Sequence, residues 1–229
     1  MLSLIKELCC LDGVSSAEDA VREFIRAKAE HYADWTRTDV MGNLIVFKKG
    51  ERATGDKLML TAHMDEVGFI VKGINADGTL RFAPVGGIVH KILPAMRVTV
   101  GERALPGVVS MTPPHMGRDK ILKPDDLVVD IGAQDRESAE KLTYPGDFIA
   151  FAGEPVFFGD GILKSKALDD RLGCAVMLEL LREELPCDVW YAFTVQEEIG
   201  SGAMTAAHRL KPDAGLVIEC TTAADLPFV

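Results

Sequence analysis

Residues 189–200 read VWYAFTVQEEIG, an apolar run that breaks off at two adjacent carboxylates, Glu197 and Glu198. Gly200, Ser201 and Gly202 follow at once. A run rich in β-branched and aromatic residues, without polar alternation, predicts a strand covered on both faces, the kind found in sheets flanked by helices. Open α/β sheets hold their ligands beyond the carboxyl ends of the strands, so the pair stands where a ligand crevice belongs. Two neighbouring carboxylates would be costly if both were buried and unpaired. They either face solvent on a turn or meet cations.

Other stretches end in the same way. In LMLTAHMDE (58–66) His63 and Asp65 close a buried strand, and in LKSKALDDR (163–171) Asp169 and Asp170 stand before a helix. Glu219 follows the apolar run 214–218. Singly, each has a plainer reading: a structural histidine, a helix N-cap, a solvated turn. In succession at strand ends they are harder to dismiss, and together they offer one imidazole nitrogen and several oxygens. That donor set suits zinc, cobalt or manganese better than an iron–sulfur or copper site. Of the Asp169-Asp170 pair, one carboxylate could bridge two cations while the other caps the helix.

The bulk numbers set the frame. A chain of 229 residues that is 48% hydrophobic can bury one large core or two small ones. Its formal net charge of −10, with no basic run, argues against a nucleic-acid partner. No secretory signal is visible, and no apolar run approaches the roughly 18 residues a membrane span needs. The cysteines, Cys9, Cys10, Cys174, Cys187 and Cys220, are odd in number and form no CxxC pair, which predicts reduced thiols and a cytoplasmic protein. Cys220, beside Glu219, reads as a small residue at a strand end or as a soft ligand.

In chain order, apolar spacing predicts helices over 2–11 and from 19 onward, the second opened by a Ser16-x-x-Asp19 capping box. Residues 37–39 and 44–47 flank Met41-Gly42-Asn43, a hairpin signal, and 58–62 is a covered strand. From Gly68 to about Gly161 the pattern turns to short β runs, 69–74, 80–83, 97–100, 107–110, 127–131 and 147–151. Turn signals such as Gly86-Gly87, Pro113-Pro114 and Pro145-Gly146 separate them, with one short helix over 135–142. That reads as a small barrel or sandwich. Helix 170–185, strand 189–195, helix 201–210 and strand 214–218 then resume an α/β pattern, so a β-rich block interrupts an α/β domain. Both edges of the block lie beside candidate site residues, and ligand sites favour such junctions.

Rival chemistries lack their signatures: there is no GxSxG elbow, no Walker-type phosphate loop and no GxGxxG. His31, His90 and His208 have no strand-end company. His115 sits in a loop that could approach a site or an interface.

The strings TAHMDEVGF, SKALDDRLG, VQEEIGSGA and LVIECTTAADLP resemble, in order and spacing, the motif blocks of one family. It is the tetrahedral, or glutamyl, aminopeptidase family of dinuclear metallopeptidases, some of whose members carry cellulase or endoglucanase names. The resemblance covers the whole chain. It implies a mixed-sheet α/β catalytic domain of the aminopeptidase/phosphorylase-like type, built from residues 1–67 and 161–229. An inserted β-rich dimerisation domain, 68–160, interrupts it. Two divalent metal ions per subunit are implied, with His63 and Glu219 on one, Glu198 on the other and Asp169 between them. Asp65 would orient His63, and the Asp169–Asp170 peptide would be cis. The metals would hold a water and polarise the scissile carbonyl of an N-terminal peptide bond. Glu197 would be the general base, taking the water proton and returning it to the leaving amine. A peptide substrate and a homo-oligomer, from dimer to dodecamer, are implied as well.

Two departures matter. Many members have aspartate in place of Glu219. The family also supplies a further histidine to the second metal from a segment beyond Val229, whereas residues 221–229 hold none. On this reading the sequence is a shortened version of the family's chain, and Glu198 serves a metal whose histidine partner is missing. Two alternatives stay open. One is a related dinuclear carboxypeptidase or deacylase, acting on C-terminal or N-acyl substrates. The other is an inactive metal-binding assembly subunit.

Overall fold

The computed structural model describes residues 1–52, 55–111 and 124–223. The chain opens with helices α1 (Leu2–Cys9) and α2 (Asp19–Ala29), then strands β1 (Trp35–Thr38), β2 (Leu44–Lys48) and β3 (Leu58–His63). The β-rich block follows: β4 (Gly68–Ile74), β5 (Leu80–Val85), β6 (Arg97–Val100), β7 (Leu105–Met111), β8 (Leu127–Asp130), α3 (Arg136–Glu140) and β9 (Phe148–Phe151). Next come a hairpin of β10 (Val156–Phe158) and β11 (Ile162–Lys164), helix α4 (Leu168–Leu180), β12 (Val189–Thr194), α5 (Gly202–Leu210) and β13 (Ala214–Val217).

The apolar run at 189–195 does become a central strand. The mixed sheet has the order β1-β2-β12-β3-β13, and β12 and β13 both lie parallel to β3. Helices cover both faces, which is why β12 carries no polar alternation. On one face Leu44, Leu60, Tyr191 and Phe193 pack with residues of α1, α2 and α4. On the other, Ile45, Met59 and Ala192 pack with Ala206 of α5. Each fully buried side chain of this kind contributes about 1.5–3 kcal/mol. Register then places the site. Thr194 pairs with His63 and Val217 with Thr61, so three parallel strands release their chains at one level.

The β-rich block closes into a barrel of order β4-β5-β8-β7-β6-β9, leaving no open sheet edge. Phe69, Phe82, Val98, Val129 and Ile149 fill it, as side chains fill any barrel this small. Gly68 is required where the barrel meets the sheet: a Cβ there would lie 2.5 Å from Val14 Cγ2 and 2.6 Å from the Ile149 carbonyl oxygen. Thr99 on the barrel also donates to Asp12 Oδ2 at 2.7 Å.

Three expectations need correction. The capping box at α2 does not form, because Ser16 adopts a left-handed φ of 78°. The buried Glu18 carboxylate instead accepts from the Ser16 N–H at 2.8 Å. The helix expected over 170–185 ends at Leu180, and Asp169 and Asp170 are not helical within it. The β10–β11 hairpin went unread, since its three-residue strands are too short to show a period. Its turn contains residue 160, where the sequence placed the end of the β-rich block. The Pro113-Pro114 turn and His115 lie outside the described residues, as does the end of the LVIECTTAADLP string.

Candidate metal centre

His63 ends β3 and is 2% exposed. Its Nδ1 lies 3.1 Å from the Asp65 carbonyl oxygen and 3.4 Å from Asp65 Oδ1. Acceptors on that side keep a proton on Nδ1 and turn Nε2 outward, where a cation could take the place of its proton. Around Nε2 stand Asp169 Oδ1 at 3.0 Å, Glu219 Oε1 at 3.5 Å and Glu197 Oε2 at 4.0 Å. Burial alone would lower the pKa of this imidazole, but Asp65, Asp170 and Glu219 together push it up to about 10.

Asp65 is fully buried and contacts more than His63. Oδ1 accepts from the Glu197 N–H at 3.0 Å, and Oδ2 from the Glu198 N–H at 3.1 Å and the Ser15 hydroxyl at 2.6 Å. Burial works to raise this carboxyl, yet the bonds from His63, Ser15 and Glu197 hold it below the usual carboxylate range. One anion thus fixes the histidine and the turn that bears both glutamates.

That turn is a short 3₁₀ segment, Glu197–Ile199. Glu197 keeps about half of its side chain exposed (49%), free to meet a ligand. Glu198 is more enclosed, and burial together with neighbouring carboxylates raises its pKa despite His63. Gln196, with a left-handed φ of 60°, turns the chain and is held by Glu18 through its N–H at 3.1 Å.

The Asp169–Asp170 peptide is cis, as the resemblance implies. Asp169 reaches outward to His63. Asp170 is fully buried, accepting from the His63 N–H at 3.2 Å and the Gly173 N–H at 3.0 Å. The second bond is the N-cap expected of one member of the pair, for a helix whose regular turns begin at Arg171. Gly173 makes it possible, because a Cβ there would lie 2.4 Å from Asp170 Oδ1. Burial pushes Asp170 up to about 7 against the pull of His63, with Glu219 adding to the rise. Cys220 is half-buried with Sγ 3.4 Å from the Leu168 carbonyl oxygen, and it is 3.8 Å from Asp170 Oδ1.

Two triads result: His63, Asp169 and Glu198, and His63, Asp170 and Glu219, each with its donor atoms within 4.8 Å of one another. The sequence singled out every member, though it gave Asp170 a capping role. Carboxylates raised by burial and by each other are a set that cations would relieve. One nitrogen among hard oxygens fits zinc, cobalt or manganese. A profile of the M42 glutamyl aminopeptidase family matches residues 42–229.

The chain belongs to the M42 family. The glutamyl aminopeptidase of Lactococcus lactis subsp. cremoris is 32% identical over 236 residues, covering 96% of this chain and 66% of that one. Aminopeptidase APDkam598 of the archaeon Desulfurococcus kamchatkensis matches at 38% identity with a TM-score of 0.94, covering 99% of this chain and 64% of that one. The Pyrococcus horikoshii TET1 peptidase, described as assembling into a tetrahedron or a large octahedral shell, matches at 34% identity with a TM-score of 0.87. It is covered over 72% of its length, against 99% of this chain. The chain therefore spans about two thirds of the length of these proteins.

Behind the two triads of this M42 chain lies a charge network that the sequence reading missed. Glu66, next to Asp65, accepts from Lys166 Nζ at 2.7 Å, and Lys166 also pairs with Asp12 at 2.7 Å. Arg171 is fully buried, its Nε donating to the Met64 carbonyl at 2.7 Å and Nη1 to the Leu8 carbonyl at 2.6 Å. The signal was present in SKALDDRLG: a cation opening an otherwise apolar helix. Asn43 is a second missed support. Its Oδ1 accepts from the Val195 N–H at 3.0 Å, and its Nδ2 donates to Thr205 Oγ1 at 3.0 Å, fixing the end of β12 against α5.

Proposed function

We propose that this chain carries the centre of a metal-dependent aminopeptidase, which removes the first residue from peptides with a free amino terminus. The observation behind this reading is the pair of triads sharing His63, with the half-exposed Glu197 beside them. His63 and Glu219 would hold one divalent cation, Glu198 a second, and Asp169 would stand between them; zinc or cobalt suits the donors, manganese next. Such cations supply Lewis acidity toward the scissile carbonyl and toward an attacking water.

The chain's own part follows from its geometry. Asp65 locks the Nδ1 proton of His63 so that Nε2 faces the ligand side. It also anchors the Glu197 and Glu198 backbone, which keeps the free carboxylate of Glu197 at a fixed place. From there Glu197 can accept the proton of the water and deliver it to the leaving amine, a role worth typically 10²–10⁴ in rate. Residues 1–67 and 161–229 would form the catalytic domain, and 68–160 an inserted domain through which copies associate. That all six barrel strands fall between Gly68 and Phe151 favours this division.

Elemental analysis of dialysed protein tests the reading. Two divalent cations per chain are expected in the wild type and fewer in Asp169→Ala. A wild-type chain that retains none contradicts it.

A further inference from the structure

Where β12 runs out, its backbone leaves the neighbouring strands and is taken up by side chains. Four successive N–H groups, Val195 to Glu198, each donate to a side-chain oxygen from another segment. Val195 meets Asn43 Oδ1 at 3.0 Å and Gln196 meets Glu18 Oε1 at 3.1 Å. Glu197 and Glu198 meet the two oxygens of Asp65 at 3.0 and 3.1 Å. Asp65 also faces His63, and Asn43 also ties the strand to α5. Glu18 has neither task.

Glu18 stands at the start of α2, is 4% exposed, and forms no ion pair among the described residues. A buried carboxylate needs compensating bonds, and the bonds of this one converge on strained backbone. Its Oε1 accepts from the Ser16 N–H at 2.8 Å as well as from that of Gln196. Those two residues are both left-handed, at φ 78° and 60°, and neither is glycine. Their side chains meet as well, Gln196 Nε2 donating to Ser16 Oγ at 3.0 Å. The Ser201 hydroxyl donates to Gln196 Oε1 at 3.3 Å. A residue with a Cβ keeps such a conformation only where its surroundings over-determine it, and residues of this kind gather at active sites. One carboxylate oxygen fixes both, though they lie 180 positions apart, and the second directly precedes Glu197.

We propose that Glu18 is a positioning residue of the centre: by clasping Gln196 in its left-handed turn, it sets where the Glu197 carboxylate stands. The inference rests on the aminopeptidase reading for the work that Glu197 does. A reacting group misplaced by about 1 Å loses on the order of 10²-fold in rate. His63, Asp169 and Glu219, which Glu18 does not touch, keep their places.

Kinetics and spectra test it together, in zinc-containing buffer, with the aminoacyl-p-nitroanilide that the wild type cleaves fastest. Glu18→Asp keeps the charge but draws the oxygen back from both N–H groups. Its kcat should fall about 10–100-fold, with KM within about twofold and bound zinc at the wild-type value. Glu18→Gln keeps an acceptor oxygen in place and should stay within about threefold of the wild type. Glycine adopts a positive φ without penalty, so adding Gln196→Gly to Glu18→Asp should recover kcat by about threefold or more. In the ¹⁵N-labelled chain the Glu197 amide signal should move further in Glu18→Asp than in Glu18→Gln. Should Glu18→Asp not fold, Gln196→Val, β-branched and averse to a positive φ, loosens the same clasp from its other side and should show the same split of kcat from KM. An unchanged kcat, a loss of zinc in step with the loss of kcat, or no recovery on adding Gln196→Gly overturns the proposal. If the wild type cleaves none of the nitroanilides, the aminopeptidase reading falls and the Glu197 amide signal decides alone: unmoved in Glu18→Asp, it overturns the role of Glu18 too.

Discussion

At the scale of single residues, the centre depends on a division of labour between neighbours of identical chemistry. Glu197 and Glu198 differ only in what surrounds them, one half-exposed and the other enclosed by carboxylates. Glu197→Gln should therefore lower turnover by about 10²–10⁴ while metal content, measured on the same sample, stays at the wild-type value. Asp65→Asn keeps the shape but loses an acceptor for two N–H groups and the charge facing His63. Weakened metal affinity by calorimetry is the expected result, since groups behind the ligands typically contribute 10–100-fold. Tyr191 makes a contrasting case. It is fully buried, its hydroxyl has no partner among the described residues, and burial pushes its pKa up to about 12. Tyr191→Phe should be neutral or stabilising by about 1 kcal/mol in urea unfolding, because it removes an unsatisfied polar atom.

At the scale of elements, what could be read from the sequence was what repeats or punctuates. The uninterrupted apolarity of 189–195 and 58–62 marked β12 and β3 as covered strands, and the carboxylates after them marked the site, because a parallel sheet places such ends together. Met41-Gly42-Asn43 gave the β1–β2 hairpin. What escaped were features held by distant partners. No local pattern says that Ser16 will go left-handed and Glu18 turn back to it. The Asp12–Lys166–Glu66–Arg171 network is of the same kind, since its members come from three segments. It joins α1, the end of β3 and α4 behind the two triads. Removing one partner of a buried ion pair costs about 3–5 kcal/mol, so Lys166→Met should lower unfolding stability by roughly the lower figure, Arg171 still facing Glu66. A loss within error would show that Arg171 alone suffices.

At the scale of the whole molecule, a sheet and a closed barrel meet beside a cluster of carboxylates that repel one another. Glu219 shares this strain: burial and its contact with Asp169 raise its pKa. Cations bound there would stabilise the fold by mass action, about 2.7 kcal/mol at a hundred times the dissociation constant. For a chain of this length that is a rise in Tm on the order of 5–10 °C. Zinc should produce it, EDTA should reverse it, and Asp169→Ala should be indifferent to both.

The central claim is that His63, Asp169, Glu198 and Glu219 serve Glu197 in hydrolysing an amino-terminal peptide bond. Its most direct test is release of nitroaniline from a panel of aminoacyl-p-nitroanilides and their N-acetylated counterparts, with zinc or cobalt present. The account predicts cleavage of the free-amine substrates, little of the acetylated ones, and loss of both in Glu197→Gln. Release no faster than in Glu197→Gln, or equal release from the acetylated series, would contradict it.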